Sequence, residues 1–159
     1  MSPALFLDRG LHRRLVDGLY LEAMVMADEA RAYFDQRETE EGEMDDPLRR
    51  VSFACESLKV TTRLMHVIAW LLSQRAWQRG EIADADLADE KYRLGRAAST
   101  EADVALAFPF AARALIEASQ ELYDRVSRLQ DSMDRMARPP AQQAANPARA
   151  LMDRLNLAF

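Results

Sequence analysis

The sequence predicts an all-α fold: an antiparallel three-helix bundle of long helices, with a short connecting helix and a flexible C-terminal tail. Three observations carry this. Apolar residues recur at three- and four-residue spacing through three segments of about 30 residues each, the period of one helix face. Ala, Leu, Arg, Glu and Met dominate, β-branched residues are few and only five glycines occur, a balance that costs a helix little entropy. Start and stop residues stand where those segments begin and end.

The first long helix is expected over residues 11–41, with a face of Leu11, Leu15, Leu19, Ala23, Met26, Ala30, Tyr33 and Phe34. Residues 38–46 hold six acids and Gly42, which reads as a solvated helix end and turn. Asp46-Pro47 then opens the second helix, with Asp as N-cap and Pro at the first helical position. That helix runs over 46–79 and closes at Gly80, a residue suited to the left-handed conformation. A short helix follows over 84–94. Its acids fail as a calcium loop, because Asp89 and Gly95 stand where that loop needs Gly and Glu. The third long helix starts at Thr100 with Asp103 three residues on, a relative of the capping box. Pro109 either kinks its first turns or marks its true start. Its face is Phe108, Ala112, Leu115, Ser119, Leu122, Val126, Leu129, Met133 and Met136, and Arg138-Pro139-Pro140 stops it. Residues 1–138 thus form the bundle domain. Residues 139–159 form a flexible Pro/Ala/Gln linker and a short amphipathic tail, a length marginal as an isolated helix.

The second helix carries two apolar stripes. One runs Leu48, Val51, Cys55, Leu58, Thr62, Met65, Ala69, Leu72, Ala76 in unbroken 3-4 spacing; the other is Phe53, Val60, Leu64, Val67, Leu71. At 100° per residue the two are centred roughly 180° apart. A helix of one small bundle needs a single apolar face, so a second face implies a second partner. Phe53, Val60, Leu64, Val67 and Leu71 are therefore the candidate dimer or partner interface. Burying five such side chains at roughly 1.5–3 kcal/mol each would contribute on the order of 10 kcal/mol before association costs. Homodimerisation through this helix is the preferred resolution, and docking of the 84–94 helix is the rival. Arg63, Trp70 and Trp77 form a candidate partner surface, since aromatic residues and arginine are enriched at interfaces. In the tail, Leu151, Met152, Leu155 and Phe159 are candidate recognition residues.

Chemistry is sparse. The net charge of −5 argues against nucleic-acid binding, which rests on a basic surface. A lone cysteine, Cys55, cannot form an intramolecular disulfide and fits a reducing compartment. The N-terminal residues lack the pattern of a secretory signal, and the longest uncharged run falls far short of the roughly 20 residues that span a bilayer. No membrane association is expected, and the protein is placed in the cytoplasm. His66 invites a phosphoacceptor reading, but Ala69 and Trp70 follow it among bulky neighbours. Arg63 and Arg9, three residues before the two histidines, exclude the Glu-x-x-His pattern of di-iron bundles. No Ser/His/Asp grouping, phosphate-cradling glycine loop or paired cysteine motif occurs. No catalytic, cofactor-binding or metal-binding residue is expected, and the chain reads as a protein that holds other proteins.

Three blocks resemble a known family. The first is Leu19-Tyr20-Leu21-Glu22-Ala23-Met24 with Glu29-Ala30-Arg31-Ala32-Tyr33-Phe34-Asp35. The second, the most distinctive, is Leu58-Lys59-Val60-Thr61-Thr62-Arg63-Leu64-Met65 running into Ile68-Ala69-Trp70-Leu71-Leu72-Ser73-Gln74-Arg75-Ala76 and Gly80-Glu81-Ile82. The third is Ser119-Gln120-Glu121-Leu122-Tyr123-Asp124-Arg125-Val126-Ser127-Arg128-Leu129. Together, over about residues 17–136, they resemble the RcdA family, regulators of CtrA degradation in alphaproteobacteria. The resemblance implies a dimerising three-helix bundle and a non-enzymatic adaptor. Such an adaptor helps deliver the cell-cycle response regulator CtrA, and other cargo, to the ClpXP protease. It implies co-adaptors, a receiver-domain protein (CpdR) and a cyclic-di-GMP-binding protein (PopA), and a place at the cell pole. The alternative is a structural dimeric helical interaction protein of another cytoplasmic assembly.

Overall fold

The computed structural model describes the backbone of residues 3–41, 46–137, 148, 151, 152, 154 and 155. The described residues include the α-helices α1 (Pro3–Glu41), α2 (Pro47–Gln78), α3 (Ala102–Leu106) and α4 (Phe110–Ala137). No strand occurs among the described residues. The chain divides into two compact units, Met1–Val126 and Ser127–Phe159.

Helix boundaries follow from local chemistry. The Asp46 side chain accepts a hydrogen bond from the Leu48 amide at 3.1 Å, and Pro47 occupies the first helical position, where an amide hydrogen would go unused. At the other end Gly80 adopts φ +79°. Its amide donates to the Trp77 carbonyl at 3.0 Å, and the Glu81 amide donates to the Ala76 carbonyl at 2.9 Å. This paired pattern is a Schellman motif, which satisfies carbonyls that a helix end would otherwise orphan. Pro109 marks a true start: α3 ends at Leu106, and the Arg113 amide donates to the Pro109 carbonyl at 3.0 Å as α4 begins. The helix expected over 84–94 is instead a run of turns closed by a 3-10 turn, Glu90–Tyr92, capped by the Asp89 carboxylate. Its four acids crowd a stretch too short to propagate a helix.

Contacts within the first unit set the helix directions. Phe34 of α1, Phe53 of α2 and Phe108 beside α4 meet in sequence, with ring centroids 5.5 Å and 6.2 Å apart. Further along, Asp17 lies 3.4 Å from Arg75, and Glu22 pairs with Arg125. α1 is therefore antiparallel to both neighbours. α2 and α4 run parallel to each other, because the chain between Gly80 and Pro109 travels the length of the bundle before α4 begins. The core contains Val16, Leu19, Ala23, Ala30 and Phe34 from α1, and Ala112, Ile116, Leu122 and Val126 from α4. Leu11 and Leu15, expected inside, are exposed, and Val16 is buried in their stead. In the second unit, Met136 is exposed near the end of α4, as are Leu151, Met152 and Leu155. The acidic stretch around Gly42 and the Pro/Ala/Gln linker lie largely or wholly outside the described residues, as does Phe159.

Candidate functional site

α2 turns one face inward and one outward, and the two differ from the sequence expectation. The inward face holds Phe53, Val60, Leu64, Val67 and Leu71, each at most 5% exposed. These five, expected as a partner interface, are the helix's contribution to its own core. Arg63 and Trp70, expected on a partner surface, are also buried there, at 0% and 2% exposure. The reason is neighbourhood: α1 and α4 cover this side, and Arg63 has acceptors there that no partner needs to supply.

Those acceptors build a polar latch. Arg63 Nε donates to the Ala98 carbonyl at 2.9 Å, and one terminal nitrogen donates to Ser119 Oγ at 2.9 Å. The other donates to Thr100 Oγ1, whose hydroxyl in turn donates to Glu56 Oε2 at 2.7 Å. Lys59 closes the chain, donating to Glu56 Oε1 at 2.9 Å. Burial pulls the Arg63 pKa below its ordinary value, while Glu56 and Asp124 oppose that shift. The guanidinium stays charged nonetheless, since an arginine pKa begins far above neutrality. One feature of the sequence encodes the α2 side of this latch. Glu56, Arg63 and Gln74 recur at spacings of seven and eleven, both near whole helical turns, so three polar residues share the buried face. Thr100 carried no such signal, because it meets α2 from a loop distant in sequence.

The return loop also packs across His66. A Cβ built on Gly95 would run into the His66 ring, so only glycine fits that crossing. Tyr123 holds the same loop residue from α4, its hydroxyl donating to the Gly95 carbonyl at 2.7 Å. The loop thus lies over a ring that a phosphoacceptor would need open. Nearer the end of α2, half-buried Trp77 donates its indole N–H to Asp84 at 2.7 Å. Its ring meets His12 edge-on, centroids 5.6 Å apart, and His12 Nε2 is 3.2 Å from Gln74 Oε1. Burial lowers the His12 pKa, and the Gln74 hydrogen bond opposes this in part. Trp77 is therefore an anchor for α1 and the loop more than an open contact surface.

The outward face is the stripe from Leu48 to Ala76. Leu48 is 81% exposed, Leu58 67% and Met65 65%, with Val51, Cys55 and Leu72 also exposed. Among the described residues this is the exposed apolar face of α2. Among the described residues no group of three or more His, Cys, Asp or Glu is arranged to hold a metal ion, and no helix is long and apolar enough to cross a membrane.

Comparison with solved structures places this geometry. The crystal structure of RcdA from Caulobacter crescentus CB15 superimposes with a TM-score of 0.61 at 31% sequence identity, covering 79% of this chain and 95% of that one. This chain belongs to the RcdA family. Residues 7–159 also match the family described as "Protein of unknown function (DUF1465)", so that family spans nearly the whole RcdA-like chain. No curated protein matches. The blocks quoted from α1, α2 and α4 contribute to the shared fold: Arg63, Leu64, Leu71, Ser119 and Leu122 are all buried.

Proposed function

We propose that this RcdA-family chain is a non-enzymatic, homodimeric adaptor. In this reading it helps deliver a response regulator of the CtrA type to the ClpXP protease, in the cytoplasm and at the cell pole. The observation that carries the proposal is the apolar outer face of α2, a surface of a kind that a soluble monomer rarely leaves open. The family resemblance supplies the rest. Receiver-domain and cyclic-di-GMP-binding co-adaptors would share the task. The mechanism is scaffolding: holding cargo near the protease raises its effective concentration without any bond being made or broken by the adaptor. Leu151, Met152 and Leu155, exposed in the second unit, are the proposed recognition residues of the tail, together with Phe159.

The test is reconstituted degradation of the response regulator by ClpXP with both co-adaptors present. Adding this chain should accelerate loss of cargo, and Leu58→Asp should remove that acceleration while leaving the fold intact. Equal degradation rates with and without the chain would overturn the adaptor reading.

A further inference from the structure

α1 also has an exposed apolar face, on the side away from the core. Leu11 is 66% exposed, Leu21 65%, Val25 50% and Leu15 44%, and their spacing sets them on one side of the helix. Gly18 stands in the middle of this face and is itself exposed. A glycine inside a helix is usually destabilising, and the fold gives no reason for this one. Its φ is not positive, and a Cβ built on it would meet nothing within 4 Å. What glycine supplies here is a notch, rimmed by Arg14, Leu15, Leu21 and Glu22 one turn before and after it.

The charges along the face are ordered too. Arg13 and Arg14 are exposed near its start, Asp28 and Glu29 near its end, and none of the four is in an ion pair among the described residues. The acids between them are already engaged, Asp17 with Arg75 and Glu22 with Arg125. Helices favour acids towards the N-terminus and bases towards the C-terminus, which complements their dipole. From Arg13 to Glu29, α1 has the reverse order.

We infer that the outer face of α1 receives one amphipathic helix of another protein, lying parallel to α1, with a large apolar side chain seated over Gly18. A partner helix with the ordinary charge order then sets its acids beside Arg13 and Arg14 and its bases beside Asp28 and Glu29. Laid antiparallel, the same helix would bring like charges together at both ends, which suppresses that orientation. Apolar anchors one turn apart, docked along a helical face, are a common mode of recognition. Leu11 to Val25 measures about 21 Å at 1.5 Å per residue, room for about four turns of the partner. The inference rests on the adaptor reading above and gives it a binding surface separate from the outer face of α2.

The probe is a synthetic peptide of about 20 residues with leucines on one face, glutamates in its first half and lysines in its second. A twin has the two charge blocks exchanged. Fluorescence anisotropy against the full chain should show about tenfold tighter binding of the acid-first peptide. Combining Arg13→Glu, Arg14→Glu, Asp28→Lys and Glu29→Lys should invert that preference. Gly18→Gln should raise Tm, because it restores helix propensity, and weaken binding of the acid-first peptide about tenfold or more. Leu58→Asp, on α2, should leave the preference unchanged. Equal binding of the twins, native affinity in Gly18→Gln, or an unaltered preference in the charge-reversed chain would overturn the inference. So would a solution mass that halves in Gly18→Gln, which gives the face to a second copy, or binding of anionic lipid vesicles in place of the peptide. The adaptor reading is tested apart from this, by the degradation assay: it stands if the native chain accelerates loss of cargo, whichever peptide binds, and fails if it does not.

Discussion

Replacing Arg63 by methionine tests whether the polar latch holds the return loop to α2. Methionine keeps most of the length and apolar bulk of the side chain and removes the charge and all donors. Arg63 donates to Ala98, Ser119 and Thr100. Hydrogen bonds to a charged group are worth about 1.5–3 kcal/mol each, so simple addition gives roughly 4.5–9 kcal/mol. That sum is too large. Ser119 keeps its own bond to the Ile116 carbonyl at 2.9 Å, and Lys59 continues to neutralise Glu56. The closer guide is removal of one member of a buried charge pair, which costs about 3–5 kcal/mol. At about 2–4 °C per kcal/mol for a chain of this size, Tm should fall by roughly 6–20 °C. Urea denaturation and calorimetry of Arg63→Met measure this directly. Thr100→Val on its own should cost less, because it removes the relay but leaves the Arg63 bonds to Ala98 and Ser119. Adding Thr100→Val to Arg63→Met should cost little more, because the two share one network. An Arg63→Met loss under about 1 kcal/mol, or full additivity with Thr100→Val, would refute the latch.

Gly95→Ala should destabilise by about 1–3 kcal/mol, the usual cost of forcing extra atoms into a packed site. His66→Ala should relieve most of that in a double-mutant cycle by thermal denaturation. The His12 pKa is lowered in the folded state, so the unfolded chain binds more protons as pH falls through about 6.5. Stability should therefore be complete above that pH and decline as pH drops towards the folded pKa. His12→Phe should flatten that slope in Tm measured from pH 7.5 to 5. Leu71→Asp, at a fully buried position, should prevent folding as judged by circular dichroism. Met65→Asp, at an exposed one, should change monomer stability by no more than about 0.5 kcal/mol and halve the solution mass.

Much of the fold could be read from the chain. The caps at Asp46 and Gly80 are encoded by residues whose side chain or backbone freedom satisfies a helix end directly, so they act locally and are visible locally. Most of the α4 face from Phe108 to Val126 was legible for a similar reason, since a single apolar stripe leaves little choice of side; Ile116 is buried where Leu115 was expected, and Leu115 is half-buried. α2 was not, because two stripes of comparable apolarity give periodicity nothing to choose between. The partner residues named from its sequence were accordingly drawn from the wrong side. Residues 84–94 misled through their composition, which resembles a helix surface but lacks the length to nucleate one. The latch needed Thr100 and Ala98 to return over α2, a tertiary event that no local spacing reports.

What decides the orientation of α2 is volume together with reach. A three-helix core must be filled from all sides, and Phe53, Leu64, Trp70 and Leu71 supply bulk for it. Had the other stripe turned inward, Cys55, Thr62, Ala69 and Ala76 would have left voids. Cavities destabilise at about 24 cal/mol per Å³, so a few missing side chains amount to several kcal/mol. Arg63 adds a directional constraint. Its side chain spans from α2 to the loop carbonyl of Ala98 and to Ser119 on α4, and neither acceptor can be reached from the opposite face. The inner face is thus selected by bulk and anchored by one long cation. Small residues such as these four are a defect in a three-sided core, but they suit a two-sided contact, where helix axes lie about 8–10 Å apart depending on the side chains between them. The same four residues therefore explain why the stripe is left outside and what kind of surface it is fit to meet.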